Sequence, residues 1–127
     1  MPDYRILITG SRSWTDRDQI SFELGRAIGE SGAEMRDIVL VHGACPSGAD
    51  AMAAALAMAC GYRQEAHPAD WRPGGVLDRS AGLRRNAEMV RQGADLCLAF
   101  IRDGSRGATH CAGLAEKAGI PVRRFTA

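Results

Sequence analysis

Short apolar runs recur along the chain, and between them apolar positions fall at helical spacing. Tyr4-Arg5-Ile6-Leu7-Ile8-Thr9 reads as a buried strand, and the polar stretch Gly10-Ser11-Arg12-Ser13-Trp14-Thr15 behind it ends near a helix cap at Thr15 or Asp16. Ile20, Leu24, Ala27 and Ile28 give a first helix one apolar face, which Gly29 to Gly32 closes. Residues 37–42 form the second predicted strand, followed by a glycine turn and a helix over about 49–60. That helix is nearly all Ala, Met, Leu and Cys, which predicts burial all round and close packing on a sheet. A short third strand at 62–66 leads into the one long irregular stretch, 67–80, with Pro68, Trp71, Pro73, Gly74 and Gly75. Long loops of this kind in compact domains are often functional, so this one is a candidate lid. A helix over about 81–92 is expected to place Leu83, Ala87 and Val90 on its core side, with Arg84, Arg85 and Asn86 crowding its first turns. A strand at 95–101, a helix at 107–118 and a strand at 120–125 complete the order.

Strands alternating with helices of ten or more residues make an α/β sandwich with a mainly parallel sheet and right-handed crossovers. In such sheets a ligand lies beyond the carboxyl ends of the strands, where the winding direction changes. Two stretches fit that place: His42-Gly43-Ala44-Cys45-Pro46-Ser47-Gly48-Ala49-Asp50 and Gly104-Ser105-Arg106-Gly107-Ala108-Thr109. In each, an apolar run ends in a Gly/Ser turn and a helix starts at once. A helix start offers unpaired N–H groups and the positive end of the dipole, and glycine lets the backbone approach an anion closely. The two turns are therefore expected to face each other across one edge of the sheet and to hold a phosphate or another anion.

Composition narrows the setting. A chain of 127 residues fits one domain, 1–127. With 46% hydrophobic and 24% charged residues the balance is that of an ordinary globular protein, and a net charge of +1 gives no reason to expect nucleic acid or an anionic membrane as partner. No apolar run is long enough to span a bilayer, and a cytoplasmic protein is expected. Cys45, Cys60, Cys97 and Cys111 are widely spaced without a C-x-x-C pair, which argues against structural zinc or a redox motif. Free thiols are the default, although an even count leaves a disulfide formally open. No metal and no cofactor are expected.

Five motifs in order carry a resemblance: Gly10-Ser11-Arg12; His42-Gly43 with Gly48-Ala49-Asp50; Pro68-Ala69-Asp70-Trp71; Arg85-Asn86-x-x-Met89; and Ser105-x-Gly107-x-Thr109-His110. Together they resemble the YspA-like branch of the SLOG superfamily over nearly the whole chain. The resemblance implies a three-layer Rossmann-like α/β sandwich with a five-stranded, mainly parallel sheet that binds nucleotides or nucleotide derivatives. It also implies kinship with the Lonely Guy phosphoribohydrolases, which split the N-glycosidic bond of nucleoside 5′-monophosphates, and with the Smf/DprA group; relatives commonly form dimers. Those hydrolases carry Arg-Lys-x-x-Met with a catalytic arginine, matched here by Arg85, whereas their lysine is Asn86. Their Pro-Gly-Gly-x-Gly-Thr-x-x-Glu loop keeps its glycines here, but His110 or Cys111 occupies the glutamate position.

The candidate ligand-binding residues are accordingly Gly10, Ser11, Arg12, Gly43, Ser47, Gly48, Asp50, Asn86, Gly104, Ser105, Arg106, Gly107 and Thr109. Arg12, Arg85 and Arg106 could grip phosphate with paired hydrogen bonds, and Asp50 and Asn86 could read the sugar. Trp14 and Trp71 are candidates for stacking on a base. Arg85, with Asp70 or His110 in place of the missing glutamate, would be the catalytic set of a hydrolase, because a carboxylate stabilises developing oxocarbenium charge and a histidine can move a proton. Plainer roles stand beside each of these: turns for the glycines, helix capping for the serines and Asp50, packing for the tryptophans. The function expected first is a nucleotide-binding sensor or sequestering module. A nucleotide N-glycosidase or transferase is the second reading, and DNA binding or scaffolding the weakest.

Overall fold

The computed structural model describes residues 2–127. Five strands, β1 (Tyr4–Gly10), β2 (Ile38–His42), β3 (Arg63–Ala66), β4 (Leu96–Ile101) and β5 (Val122–Thr126), form one sheet in the order β3-β2-β1-β4-β5. Every pairing is parallel, from Tyr4 against Ile38 on one side of β1 to Ile6 against Leu96 on the other. The chain winds outward from β1 to β3, returns to β4 beside β1, and winds outward again. With one crossover hand, that reversal must send the later helices to the opposite face. Indeed α1 (Arg17–Ser31) and α2 (Gly48–Cys60) cover the face carrying Ile6, Ile8, Leu40, Leu98 and Phe100. On the other face α3 (Ala81–Gln92) and α4 (Arg106–Lys117) cover Leu7, Val41 and Cys97. The result is the expected three-layer Rossmann-like sandwich, and the gap between β1 and β4 is its switch point.

Local chemistry explains the boundaries. Asp16 caps α1 by accepting the N–H of Gln19 at 3.0 Å, and Gly32 and Gly61 end α1 and α2 in left-handed conformations. The central strands are buried from end to end, whereas β3, an edge strand of Arg63, Gln64, Glu65 and Ala66, is mostly exposed. All four cysteines are free. No helix among the described residues is long and apolar enough to cross a membrane.

Three expectations need correction. Burial of α2 is confined to one face, Ala49, Asp50, Ala53 and Ala57, while Met58 on the opposite side is 78% exposed. Small side chains let α2 lie close to the sheet, with α1 packed beside it. The buried face of α3 is Asn86, Met89 and Val90, with Leu83 and Ala87 exposed. Trp14 is no base-stacking surface: it is 2% exposed, packs edge-to-face on Phe100 at 5.4 Å, and donates its indole N–H to the Asp16 carbonyl at 2.9 Å. An indole that has both its apolar face and its donor used inside the core has nothing left for a ligand.

Candidate functional site

A cleft of about 410 Å³ opens at the carboxyl ends of β1 and β4, within the roughly 300–1,000 Å³ of small-molecule sites. The loop after β1 supplies Gly10, Ser11 and Arg12; the turn after β2 supplies Cys45 and, from α2, Asp50. Trp71 and Arg79 come from the long loop, Arg85 and Asn86 from α3, and Ser105 and Gly107 from the start of α4. Topology and side-chain chemistry thus meet at the switch point.

The β1 loop is fixed by close contacts. Ser11 is buried, and its hydroxyl accepts the Arg102 N–H at 2.8 Å and donates to the Arg102 carbonyl at 3.3 Å, tying the β1 and β4 loops together. Gly48 has φ +72°, and a Cβ there would lie 2.2 Å from the Ser11 carbonyl oxygen. Only glycine lets α2 start so near the β1 loop, where the Ala49 N–H donates to that same oxygen at 3.3 Å. A Cβ on Gly10 would meet the Ala49 Cβ at 2.3 Å, which closes the joint from the other side.

The turn after β2 is not the open amide pocket that its glycines suggest. Asp50 turns back from α2 and accepts the N–H groups of Gly43 at 3.1 Å and Cys45 at 3.5 Å. The Ala44 N–H donates to His42 Nδ1 at 3.0 Å, which leaves the ring proton on Nε2, facing Gln64 Oε1 at 2.8 Å. The amides of Gly43, Ala44 and Cys45 are therefore used internally, and Ala44 is held at φ 57° to make the bend. Ser47, at the tip, is exposed and makes no side-chain cap.

One consequence is a carboxylate with an unused end. Asp50 is 5% exposed, and while Oδ2 holds the turn, Oδ1 is buried without a hydrogen-bond partner. Burial pushes its pKa above the usual 3.8, opposed by the hydrogen bonds from Cys45 and the charge of Arg85. Burial and the neighbouring Asp50 also push the Cys45 thiol up, so it is no ready nucleophile.

Arg85 is the aimed cation of the cleft. Its Nε donates to Asn86 Oδ1 at 2.9 Å, and its Nη1 donates to the carbonyls of Gly43 and, at 3.3 Å, His67. A Cβ on Gly43 would meet the guanidinium at 2.5 Å, so glycine there lets Arg85 lie in this position. The remaining nitrogen, Nη2, lies beside Gly82 of the cleft wall. Asn86, expected to read the sugar, has both ends occupied within the protein, since its Nδ2 also donates to the Gly107 carbonyl at 3.3 Å. It braces Arg85 against the first turn of α4.

The first turn of α4 leaves its amides open. Ser105 makes no side-chain cap and α4 has no acidic residue in its first turn, in contrast to α1 with Asp18 and α2 with Asp50. Thr109 is the first amide to find a helical carbonyl, Ser105 at 3.1 Å. The N–H groups before it have no partner along the helix, and they sit where Ser105, Gly107 and Ala108 line the cleft. Around Gly107 there is open space, while Gly104 (φ 61°) and Asp103 (φ 54°) make the bend that aims the helix.

Other candidates stand apart. Arg106 and Thr109 are exposed and outside the cleft lining. His110 lies further along α4, also outside it, with Nδ1 buried and unpartnered. Asp70 is exposed on a shallower neighbouring groove, where its Oδ1 accepts the Arg72 N–H at 3.3 Å in a local loop turn. Trp71 does line the cleft, with the Arg12 guanidinium 5.3 Å above its ring. Sequence reasoning missed Arg79, Cys45 and Gly82. Arg79 carried a usable signal: a cation immediately before a helix start on the predicted lid.

The model of the YspA, cpYpsA-related SLOG family (YAcAr) matches residues 4–74. That stretch contains Gly10 to Arg12, the turn with Asp50, and Trp71, and stops before Arg85 and α4. The chain is similar to the Gene 61 protein of Mycobacterium phage D29, 45% identical over 132 residues, covering 95% of this chain and 95% of that protein. Among solved structures, the C-terminal domain of the PF1911 hydrogenase from Pyrococcus furiosus matches with a TM-score of 0.51 at 19% identity, covering 98% of this chain and 94% of that one; the likeness is one of fold alone.

Proposed function

The chain belongs to the YspA, cpYpsA-related SLOG family, and on that premise we propose that its cleft binds a nucleotide or nucleotide derivative as a sensing or sequestering module. The observation that carries this reading is the polarity of the cleft. Uncapped amides of α4 and the Nη2 of Arg85 call for an anion, while a step away Asp50 Oδ1, buried and partnerless, calls for a hydrogen-bond donor and repels an anion. A sugar phosphate satisfies both: phosphate on the first turn of α4, a ribose hydroxyl donating to Asp50. Inorganic phosphate would satisfy only the first.

A second reading, cleavage of the N-glycosidic bond, is favoured by the same Asp50. It is the carboxylate of the cleft, whereas Asp70 and His110 stand outside it. A carboxyl group whose pKa is raised by burial beside a fixed arginine suits both proton transfer and stabilisation of an oxocarbenium-like transition state.

Calorimetric titration with AMP, ribose 5-phosphate, adenosine and inorganic phosphate tests the binding reading, which requires the phosphate esters of ribose to bind more tightly than adenosine or phosphate alone. Equal or absent binding of all four would refute it. Chromatography of the same AMP mixtures tests the second: free adenine, lost in Arg85→Ala, supports cleavage, and intact AMP argues for a binding module.

A further inference from the structure

Most arginines here are paired with carboxylates, Arg5 with Glu65 and Arg123 with Glu30 among them. Among the described residues, Arg12, Arg17, Arg72, Arg79, Arg85 and Arg106 have no ion-pair partner, and three of these, Arg12, Arg79 and Arg85, line the same cleft. Arg85 is spoken for by the arrangement at α4. Arg12 and Arg79 are not, and they line the cleft together with Trp71, Gly82 and Leu83.

The cleft wall contains a second uncapped helix start. Ser80 makes no side-chain cap on α3, and α3, like α4, has no acidic residue in its first turn. The nearest carboxylate, Asp78, accepts from Ser80 and is neutralised by Arg84. Arg84 N–H is the amide that reaches back to the Ser80 carbonyl, at 3.1 Å, so those of Gly82 and Leu83 precede the helical ladder. Contacts place Arg12 at the same end: it lies over the Trp71 ring, and the Trp71 edge is so near α3 that a Cβ on Gly82 would fall 2.9 Å from it. Trp71 thus spans from the α3 start to the β1 loop, with one face under a cation.

The geometry points to a second anion subsite, formed by Arg12, Arg79 and the first turn of α3, in which Trp71 is the platform that holds Arg12 over the cleft rather than a surface for a base. Asp50, whose Oδ1 is buried without a partner, lines the same cleft, so the space also answers a hydrogen-bond donor such as the ribose that would carry the phosphates. The ligand class that follows is a nucleotide with a second phosphate, either continuing the 5′-phosphate or attached elsewhere on the ribose. This rests on the reading that the cleft takes a ribose phosphate at α4.

The test is a calorimetric comparison of AMP, ADP and adenosine 3′,5′-bisphosphate on the whole chain, with circular dichroism to check that each variant is folded. At least one of the two doubly phosphorylated ligands is expected to bind about tenfold or more tighter than AMP, and which one does so distinguishes contiguous from separated phosphates. Arg12→Gln with Arg79→Gln should remove that gain and leave AMP affinity unchanged. Trp71→Leu should remove a large part of the gain, again sparing AMP, while Trp71→Phe, which keeps an aromatic face, should retain most of it. Equal affinity for all three ligands would overturn the second subsite and leave the proposed function standing. Loss of AMP binding in Trp71→Leu would also overturn it, since that is the signature of a base-stacking tryptophan. Failure of all three ligands to bind would remove both proposals together.

Discussion

Replacing Asp50 with alanine removes the acceptor that shapes the turn after β2. The buried Gly43 N–H, now bonded to Oδ2 at 3.1 Å, would lose its partner, a loss of about 1–3 kcal/mol. The Cys45 contact, at 3.5 Å, adds little. Against this, deletion relieves the burial of a carboxylate whose second oxygen has no partner, so the net destabilisation at neutral pH is expected near the lower end, about 1–2 kcal/mol. The pH dependence carries the sharper test. The folded pKa of Asp50 is raised above 3.8 by burial. Stability contributed by an acid shifted in this direction is complete below the unfolded value and declines as pH rises through the folded one. Urea unfolding of wild type and Asp50→Ala should therefore show a larger gap at about pH 4 than at about pH 7. A gap that grows toward neutral pH would refute the reasoning, because it would mean that Arg85 and the hydrogen bonds of the turn hold the carboxylate down more strongly than burial pushes it up.

Other perturbations separate scaffold from site. Gly48→Ala places a Cβ against the Ser11 carbonyl at a positive φ and should cost about 2–5 kcal/mol in urea unfolding; a change below about 0.5 kcal/mol would show that the α2 start is not pinned to the β1 loop. Gly107→Val meets open space on a helix and should leave stability within about 0.5 kcal/mol while weakening AMP binding tenfold or more, about 1.4 kcal/mol; unchanged affinity would make this turn structural only. Glu65, paired with Arg5 at 2.8 Å and His67 at 2.7 Å, has its pKa lowered from 4.5 to about 2. Its contribution is present above 4.5 and lost as pH falls through about 2, so Glu65→Gln should destabilise by about 0.5–1 kcal/mol at neutral pH, with the difference shrinking in acid. A constant difference down to acid pH would contradict the assigned pairing.

The sheet was legible because the apolar runs of β1, β2 and β4 are buried on both faces and have no other use. The site was legible in outline, since glycine turns before helices in a parallel sheet can only gather at one edge. What escaped were matters of direction. Val90 is buried as expected, but Leu83 and Ala87 fit helical spacing with it as well as Asn86 and Met89 do. The helix takes the other rotation because Asn86, polar but satisfied by Arg85 and the Gly107 carbonyl, can be buried without penalty. Trp14 and Trp71 look alike in loops, yet one faces Phe100 and the other Arg12. The turn of His42 to Asp50 reads as an anion cradle by composition. Two of its amides, those of Gly43 and Cys45, are answered by Asp50 itself, the first a bond between residues seven apart that no periodicity reveals.

The account is tested most directly by a crystal structure of the protein soaked with AMP. The result expected is the phosphate within hydrogen-bond distance of the Gly107 and Ala108 N–H groups, with a ribose hydroxyl on Asp50 Oδ1. A phosphate seated on the turn of Gly43 to Gly48, or a cleft that stays empty at saturating AMP, would contradict it.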